Sequence, residues 1–583
     1  MVLAGPREEG AYSNSKAELG GNCVTVHYGP PAPASRMDAQ HQKLSSTPRP
    51  RKTWWSFPIS ITSGAGGVRL HVAWLRLLLL LLGAAVATWL LTAVTLYGWV
   101  KYSRGFTEAR IVDIMLPHRW STFRVTRGNF YIKQAQVELK QQKWADGIHH
   151  LRVGVAASPA NTDGRLVLAQ IFTLFGRIEL AQRTLIDGLP YAQNNTVYLK
   201  SLMGFLLQYQ EDDEVRRISA QLLPAAPQIN ERNQIIALAC ASANFYRGNS
   251  EAADALIKDY ALQRTKDGRL LLVRVSWDRG QRSAALDQLR TYSTEAPGDE
   301  DFYSQLVAFH RELGHDREAE KYAFLRELSN PRSIAARIDL LQSYRRTNNA
   351  SQLQRGIDAL LRDFANDQNA LLALGNFATG IGDSALAHRV YQHCEDHQLN
   401  TEAVALMVAE AHIAAREYRP ALAFITEFGQ AHREWLQKSQ GIVNGIQAVA
   451  CFGLDQRNDA ELYLTQFLSQ PNLRGEYLTV IASRLVAIGE RAMARRVLAQ
   501  AVATDARNQL ALTRLVELDL DSGRPDELYA NLRRLLAMRR PTLELLQTAR
   551  TKLTGDRFLF VAGRDEMIEV IQSALDHAPA PGA

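Results

Sequence analysis

The chain has little of what marks most enzymes and metal proteins. Its 583 residues include only four cysteines, Cys23, Cys240, Cys394 and Cys451. No two stand at a C-x-x-C spacing, which excludes a zinc ribbon or a paired redox motif. Cys240, Cys394 and Cys451 fall inside apolar helical patterns and are expected to be buried thiols. No phosphate loop, G-x-S-x-G elbow or dinucleotide fingerprint occurs. The expectation is therefore a protein with no catalysis of its own and no cofactor. A one-signed charge field is missing too. The formal charge is +7, but the first 69 residues carry about +4, Arg76 one more, and everything after it only about +2. Nucleic-acid binding would call for Lys and Arg concentrated on one face, and is not expected.

Between Leu77 and Val100 charge is absent altogether. At 1.5 Å per residue this stretch would make a helix about 36 Å long, enough to cross a hydrocarbon core of about 30 Å. Trp74 stands near one end, and Tyr97, Trp99 and Tyr102 near the other, as an interfacial aromatic belt would require. No A-x-A-like cleavage site follows, so a retained single-pass anchor over residues 70–100 is expected rather than a cleaved signal peptide. Arg51, Lys52, Arg69 and Arg76 flank one side and Lys101, Arg104 and Arg110 the other, nearly a tie by the positive-inside rule. The preceding tail has no export signal of its own. That favours an inner (cytoplasmic) membrane with the later residues on the extracytoplasmic, periplasmic side.

Residues 1–69 show no sustained period and contain breakers such as Gly29-Pro30-Pro31-Ala32-Pro33, so a disordered polar and basic tail is expected. Met37 would serve as an alternative start, making the first 36 residues an extension. Arg51-Lys52-Thr53-Trp54-Trp55 suits an anionic membrane surface, and equally a solvated tail.

From about residue 125 the chain is rich in Ala, Leu, Arg, Glu and Gln, and its punctuation repeats. Gly280 followed by Ala285 and Pro297 returns 34 residues later as Gly314, Ala319 and Pro331. Asn348 then holds the turn position, followed by Gly382 and Ala387. Further turns fall at Gln142, Gly176, Glu211-Asp212-Asp213, Gly248, Arg416-Glu417, near Asp455, Gly489 and Gly523. In the third unit Arg216 occupies the place where the pattern wants Ala. A period near 34 with this grammar resembles the tetratricopeptide repeat, in particular membrane-anchored repeat proteins of bacteria.

The resemblance implies an all-α fold: a right-handed superhelical α-solenoid preceded by one transmembrane helix and a disordered tail. The expected order is a tail over 1–69, the membrane helix over 70–100, a juxtamembrane linker over 101–124 and about twelve repeats over 125–540. Capping helices over 541–577 and a frayed end over 578–583 complete it. Nothing in the sequence fixes an oligomeric state. The rubredoxin-like metal module that ends some such proteins has no cysteines to build it here.

His388, His393 and His397 surround Cys394, and His393 and His397 are four apart on one helix face. The repeat register turns Cys394 to the core and leaves the histidines toward its flank, so solvated or partly packed rings are expected rather than a metal site. In the resembling family the first helix of each pair lines a concave groove. That register puts Arg274, Trp277, Arg311, Gln342, Arg345 and Asn376 on the groove face, where they would hold an acidic or C-terminal peptide segment. Neighbouring acids such as Asp278 and Glu312 would oppose this by neutralising the arginines. The function implied is a membrane-anchored scaffold for protein or peptide partners. The alternative is a non-catalytic subunit of an envelope-biogenesis or polymer-export machine.

Overall fold

The computed structural model describes residues 24–26, 59–64, 67–72, 74–103, 105–471 and 473–576. The chain divides into two compact units, Met1–Arg177 and Ile178–Ala583. The expected frayed end, 578–583, and Cys23 lie outside the described residues.

In the first unit three short strands, β1 (Val24–Val26), β2 (Ile59–Gly64) and β3 (Gly67–Val72), form an antiparallel sheet in the order β1-β3-β2. β1 and β2 lie within residues 1–69, expected as a tail, and β3 crosses from that stretch into the first residues of the expected membrane helix. The register pairs Ile59 with Val72, Ile61 with Leu70 and Ser63 with Val68.

The apolar helix α1 (Trp74–Gly98) follows, and Leu77–Ser103 is long and apolar enough to cross a membrane. The expected linker also has structure. After a π-helical turn at Trp99–Ser103, α2 (Ile111–Met115) and a 3-10 turn (Pro117–Arg119) run back beside α1. The Trp89 indole donates to the Met115 carbonyl at 3.0 Å and stacks on Trp120 at 5.9 Å, while the Trp120 indole donates to the Ile114 carbonyl. Phe106, buried with Val100 and Ala109, secures the connection. The unit then continues as α3 (Trp120–Lys140), α4 (Trp144–Ala157) and α5 (Thr162–Leu174).

The second unit opens with α6 (Ile178–Ile186) and α7 (Leu189–Ala192). Ten helix pairs follow: α8 (Thr196–Gln208) with α9 (Asp212–Leu222), α10 (Glu231–Tyr246) with α11 (Ser250–Asp259), α12 (Lys266–Asp278) with α13 (Arg282–Glu295), α14 (Glu300–Glu312) with α15 (Asp316–Ser329), and α16 (Ile334–Arg346) with α17 (Ala350–Asp363). The series continues with α18 (Gln368–Ile381) and α19 (Ser384–Asp396), α20 (Glu402–Ala414) and α21 (Tyr418–Ala431), α22 (Arg433–Gly453) and α23 (Arg457–Leu468), α24 (Gly475–Ala487) and α25 (Arg491–Thr504), and α26 (Gln509–Ser522) and α27 (Leu528–Ala537). The helices α28 (Leu543–Leu553) and α29 (Arg564–Asp576) close the array, burying Met567 and Ile571 in its last apolar cluster. The fold is an α-solenoid resembling tetratricopeptide repeats.

The period is written in the backbone. Left-handed residues stand at 142, 176, 210, 248, 280, 314, 348, 382, 416, 455, 489 and 523, 34 apart in eight of eleven steps. The exceptions have visible causes. The loop between α9 and α10 is long, α11 is only 10 residues long, and α22 is extended to 21 residues. Gly314 (φ +72°) shows the chemistry: its N–H bonds the Arg311 carbonyl, and the His315 N–H bonds the His310 carbonyl at 2.8 Å. This double closure satisfies the orphan carbonyls of α14 and turns the chain into α15. An added Cβ would meet nothing within 4 Å, so the preference for Gly there is conformational, about 1 kcal/mol.

Between α8 and α9 the left-handed residue is Gln210, not the acidic run after it. The register therefore moves by one, Val215 takes the packed position, and Arg216 points to solvent. Five residues after most of these left-handed residues a small side chain lets the paired helices approach; Val215, Leu353 and Leu528 take the place in the others. Ala253, Ala285, Ala319, Ala387, Ala421, Ala460 and Ala494 are all buried there.

Candidate functional site

The six residues that sequence register places on the inner face meet three different fates. Trp277 is inside the core. Only 8% exposed, it stacks on Phe309 with ring centroids 3.8 Å apart and donates its indole N–H to Glu312 at 3.0 Å. Arg311 is locked between pairs: it forms an ion pair with Asp339 at 2.6 Å and donates to the Asp339 carbonyl and to Ser343 Oγ. Arg345 reaches the Ile381 carbonyl at 3.3 Å. Arg274, Gln342 and Asn376 are exposed, Gln342 at a shallow hollow lined by residues of α15, α16 and α18. The six do not assemble into one site.

A recess of about 630 Å³ lies instead along α8, α10, α12 and α14, the first helices of four successive pairs. Met203, Ile235, Leu238 and Leu270 supply its apolar lining, and of the six expected residues only Arg274 belongs to it. Its charges are ordered by helix polarity. Glu231, Asp267 and Asp301 all stand in the first turns of their helices, where the macrodipole favours anions. Asp301 and Asp299 both bind Lys266, at 2.5 and 2.8 Å, and this double pairing raises the Lys266 pKa above its ordinary value. Arg274 stands two turns beyond Asp267. Its guanidinium meets only a neutral partner, the Gln305 amide oxygen at 2.7 Å. Among the described residues Arg274 is in no ion pair, and an exposed guanidinium so placed can take a bidentate carboxylate from outside. Sequence register found Arg274 but not the recess, because the recess needs side chains from four helices, its lining running from Lys200 to Gln305.

The histidines behave as packed side chains. His393 faces the Ala365 carbonyl at 3.0 Å, His397 caps the His393 carbonyl, and Cys394 between them is buried. Among the described residues no group of three or more His, Cys, Asp or Glu could hold a metal ion. His388 has a partner that sequence spacing did not indicate, His412, with the two Nε2 atoms 2.9 Å apart. His412 in turn bonds Glu417 at 2.7 Å, and that bond holds the Glu417 carboxyl below its usual range.

Burial, and then the neighbouring His412, push the His388 pKa below its ordinary value near 6.5. As pH falls below about 6.5 the unfolded chain is protonated first. Stability carried by neutral His388 is thus complete above that pH and decreases until folded His388 also takes its proton. His388→Gln is expected to show a smaller fall in melting temperature between pH 7 and pH 5 than the wild type. Equal falls in circular-dichroism melts would contradict this. His310, buried on Tyr322 with its pKa lowered by burial, adds a decline of the same sign in both proteins.

No family model matches the chain, and no curated protein sequence matches it. Similar solved structures include a tetratricopeptide repeat protein from Parabacteroides merdae, 13% identical over 43% of this chain and 96% of that one, with a TM-score of 0.27. Yeast Tom70 is 11% identical over 76% and 99% of the two chains, with a TM-score of 0.30. The APC/C hetero-tetramer Cut9-Hcn1 is 12% identical over 74% and 98%, with a TM-score of 0.24.

Proposed function

We propose that the chain is a single-pass membrane-anchored scaffold that binds a protein or peptide segment along α8, α10, α12 and α14, without catalysis of its own. The observation that carries this reading is Arg274, exposed on a recess of mixed polar and apolar lining and, among the described residues, in no ion pair. The ligand that suits it is a segment with apolar side chains for Met203, Ile235 and Leu238, and one acidic side chain or a terminal carboxylate for Arg274. Leu77–Ser103 is the membrane anchor, and the helical pairs stand on the periplasmic side of the inner membrane.

The full-length protein purified from its native membranes is expected to bring down a defined partner, and Arg274→Glu to reduce its recovery at least about tenfold, as loss of a charge-assisted bidentate contact would. Undiminished recovery with Arg274→Glu would remove the recess from the proposal. Labelling of an exposed cysteine placed at Arg317 by an impermeant maleimide in intact cells checks the side. Labelling only after lysis would overturn the orientation.

A further inference from the structure

In a solenoid each pair packs on its sequence neighbours, so a contact between residues some 300 positions apart is a closure. The loop after α27 makes one. Arg539 holds Asp212 bidentately at 2.8 and 3.0 Å and lies over the Tyr246 ring at 3.9 Å. Arg540 pairs with Asp278, and its backbone N–H donates to the Tyr246 carbonyl at 2.9 Å. From the other side Arg247 donates to the carbonyls of Ala537 and Met538. Gly248 leaves room for this approach: a Cβ there would meet Arg540 Cδ at 2.7 Å.

The contact is polar. The apolar cluster of residues 237–275 and that of residues 405–571 do not merge across it. Among the described residues the two sides are joined by guanidinium pairs and backbone hydrogen bonds, which form and break with little buried apolar area. Asp212 is nearly inaccessible while Arg539 covers it and would regain water once the loop left. We infer that Ala537–Pro541 is an arginine latch that closes the array of the second unit onto α8–α12, giving it closed and open states. Leu207 and Tyr246 line the recess and also carry latch contacts, so opening would reshape the recess wall. The closure itself does not depend on what the recess binds.

The test is pulsed dipolar spectroscopy on the full-length chain in detergent micelles. Cys23→Ser and Cys240→Ser leave only the buried thiols of Cys394 and Cys451, and spin labels are attached at cysteines replacing the exposed Glu251 and Gln547. The wild-type latch is expected to give one narrow distance distribution. Arg539→Glu with Arg540→Glu should move the main peak to longer distance and broaden it, and the milder Asp212→Asn with Asp278→Asn should do the same from the opposite side. Circular dichroism checks that helicity is kept. A distance unchanged in a helical variant, or a distribution already broad in the wild type, would overturn the latch.

Discussion

Truncating Trp277 to alanine is expected to cost about 3–5 kcal/mol of stability, the range for a large buried aromatic. The indole is stacked on Phe309, packed with Val273, Leu289 and Leu306, bonded to Glu312, and capped by Arg282 at 5.5 Å from its ring. Its loss opens a cavity at the junction of α12 and α14 and leaves the Glu312 carboxylate with only its ion pair to Arg282 at 3.8 Å. Because repeat arrays unfold by neighbouring units, the effect should be local. Hydrogen exchange is expected to accelerate in α12–α15 and to change little in α24–α27. If Trp277 were a surface anchor for a ligand, the substitution would leave exchange unchanged and weaken partner recovery alone.

The second large effect concerns Arg311. Its guanidinium bridges α14 to α16 through Asp339, which also holds Arg326 at 3.0 Å. Both charges are largely covered, so removing one leaves the other poorly solvated. Arg311→Ala is expected to cost about 2–3 kcal/mol, in line with hydrogen bonds to charged groups. Arg274→Ala should cost under about 0.5 kcal/mol, since it loses only an exposed bond to an amide. The two arginines look alike in the sequence, each on the first helix of its pair. Denaturant melts that ranked Arg274→Ala as the more damaging would contradict the assignment of structural and accessible roles.

That contrast shows what sequence can carry. The period was readable because its physics is local. A left-handed residue closes the first helix, and a small residue five positions later admits the second, so Gly314 and Ala319 can be placed by counting. Reading failed by one residue where the left-handed position is filled by Gln210, which has no compositional mark of its own. It missed β2 and β3, whose two-residue alternation spans only six residues each and is easily lost among glycines and serines.

It put Trp277 and Arg311 on the inner face correctly as to helix and incorrectly as to accessibility, because accessibility is decided by the neighbouring helix: Phe309 covers one and Asp339 binds the other. The recess, the His388–His412 pair and the pairing of Arg539 with Asp212 were not legible at all. Each depends on residues brought together by stacking, and the last spans 327 positions.

The central claim is that a protein partner lies along α8, α10, α12 and α14. It is tested most directly by photo-crosslinking in native membranes, with a photoreactive residue placed in turn at Gln234 and Ser304 in the recess and at the exposed Arg317 on α15. The expected result is a discrete protein adduct from Gln234 and Ser304 and none from Arg317. Adducts from Arg317 alone, or equal adducts from all three positions, would contradict it.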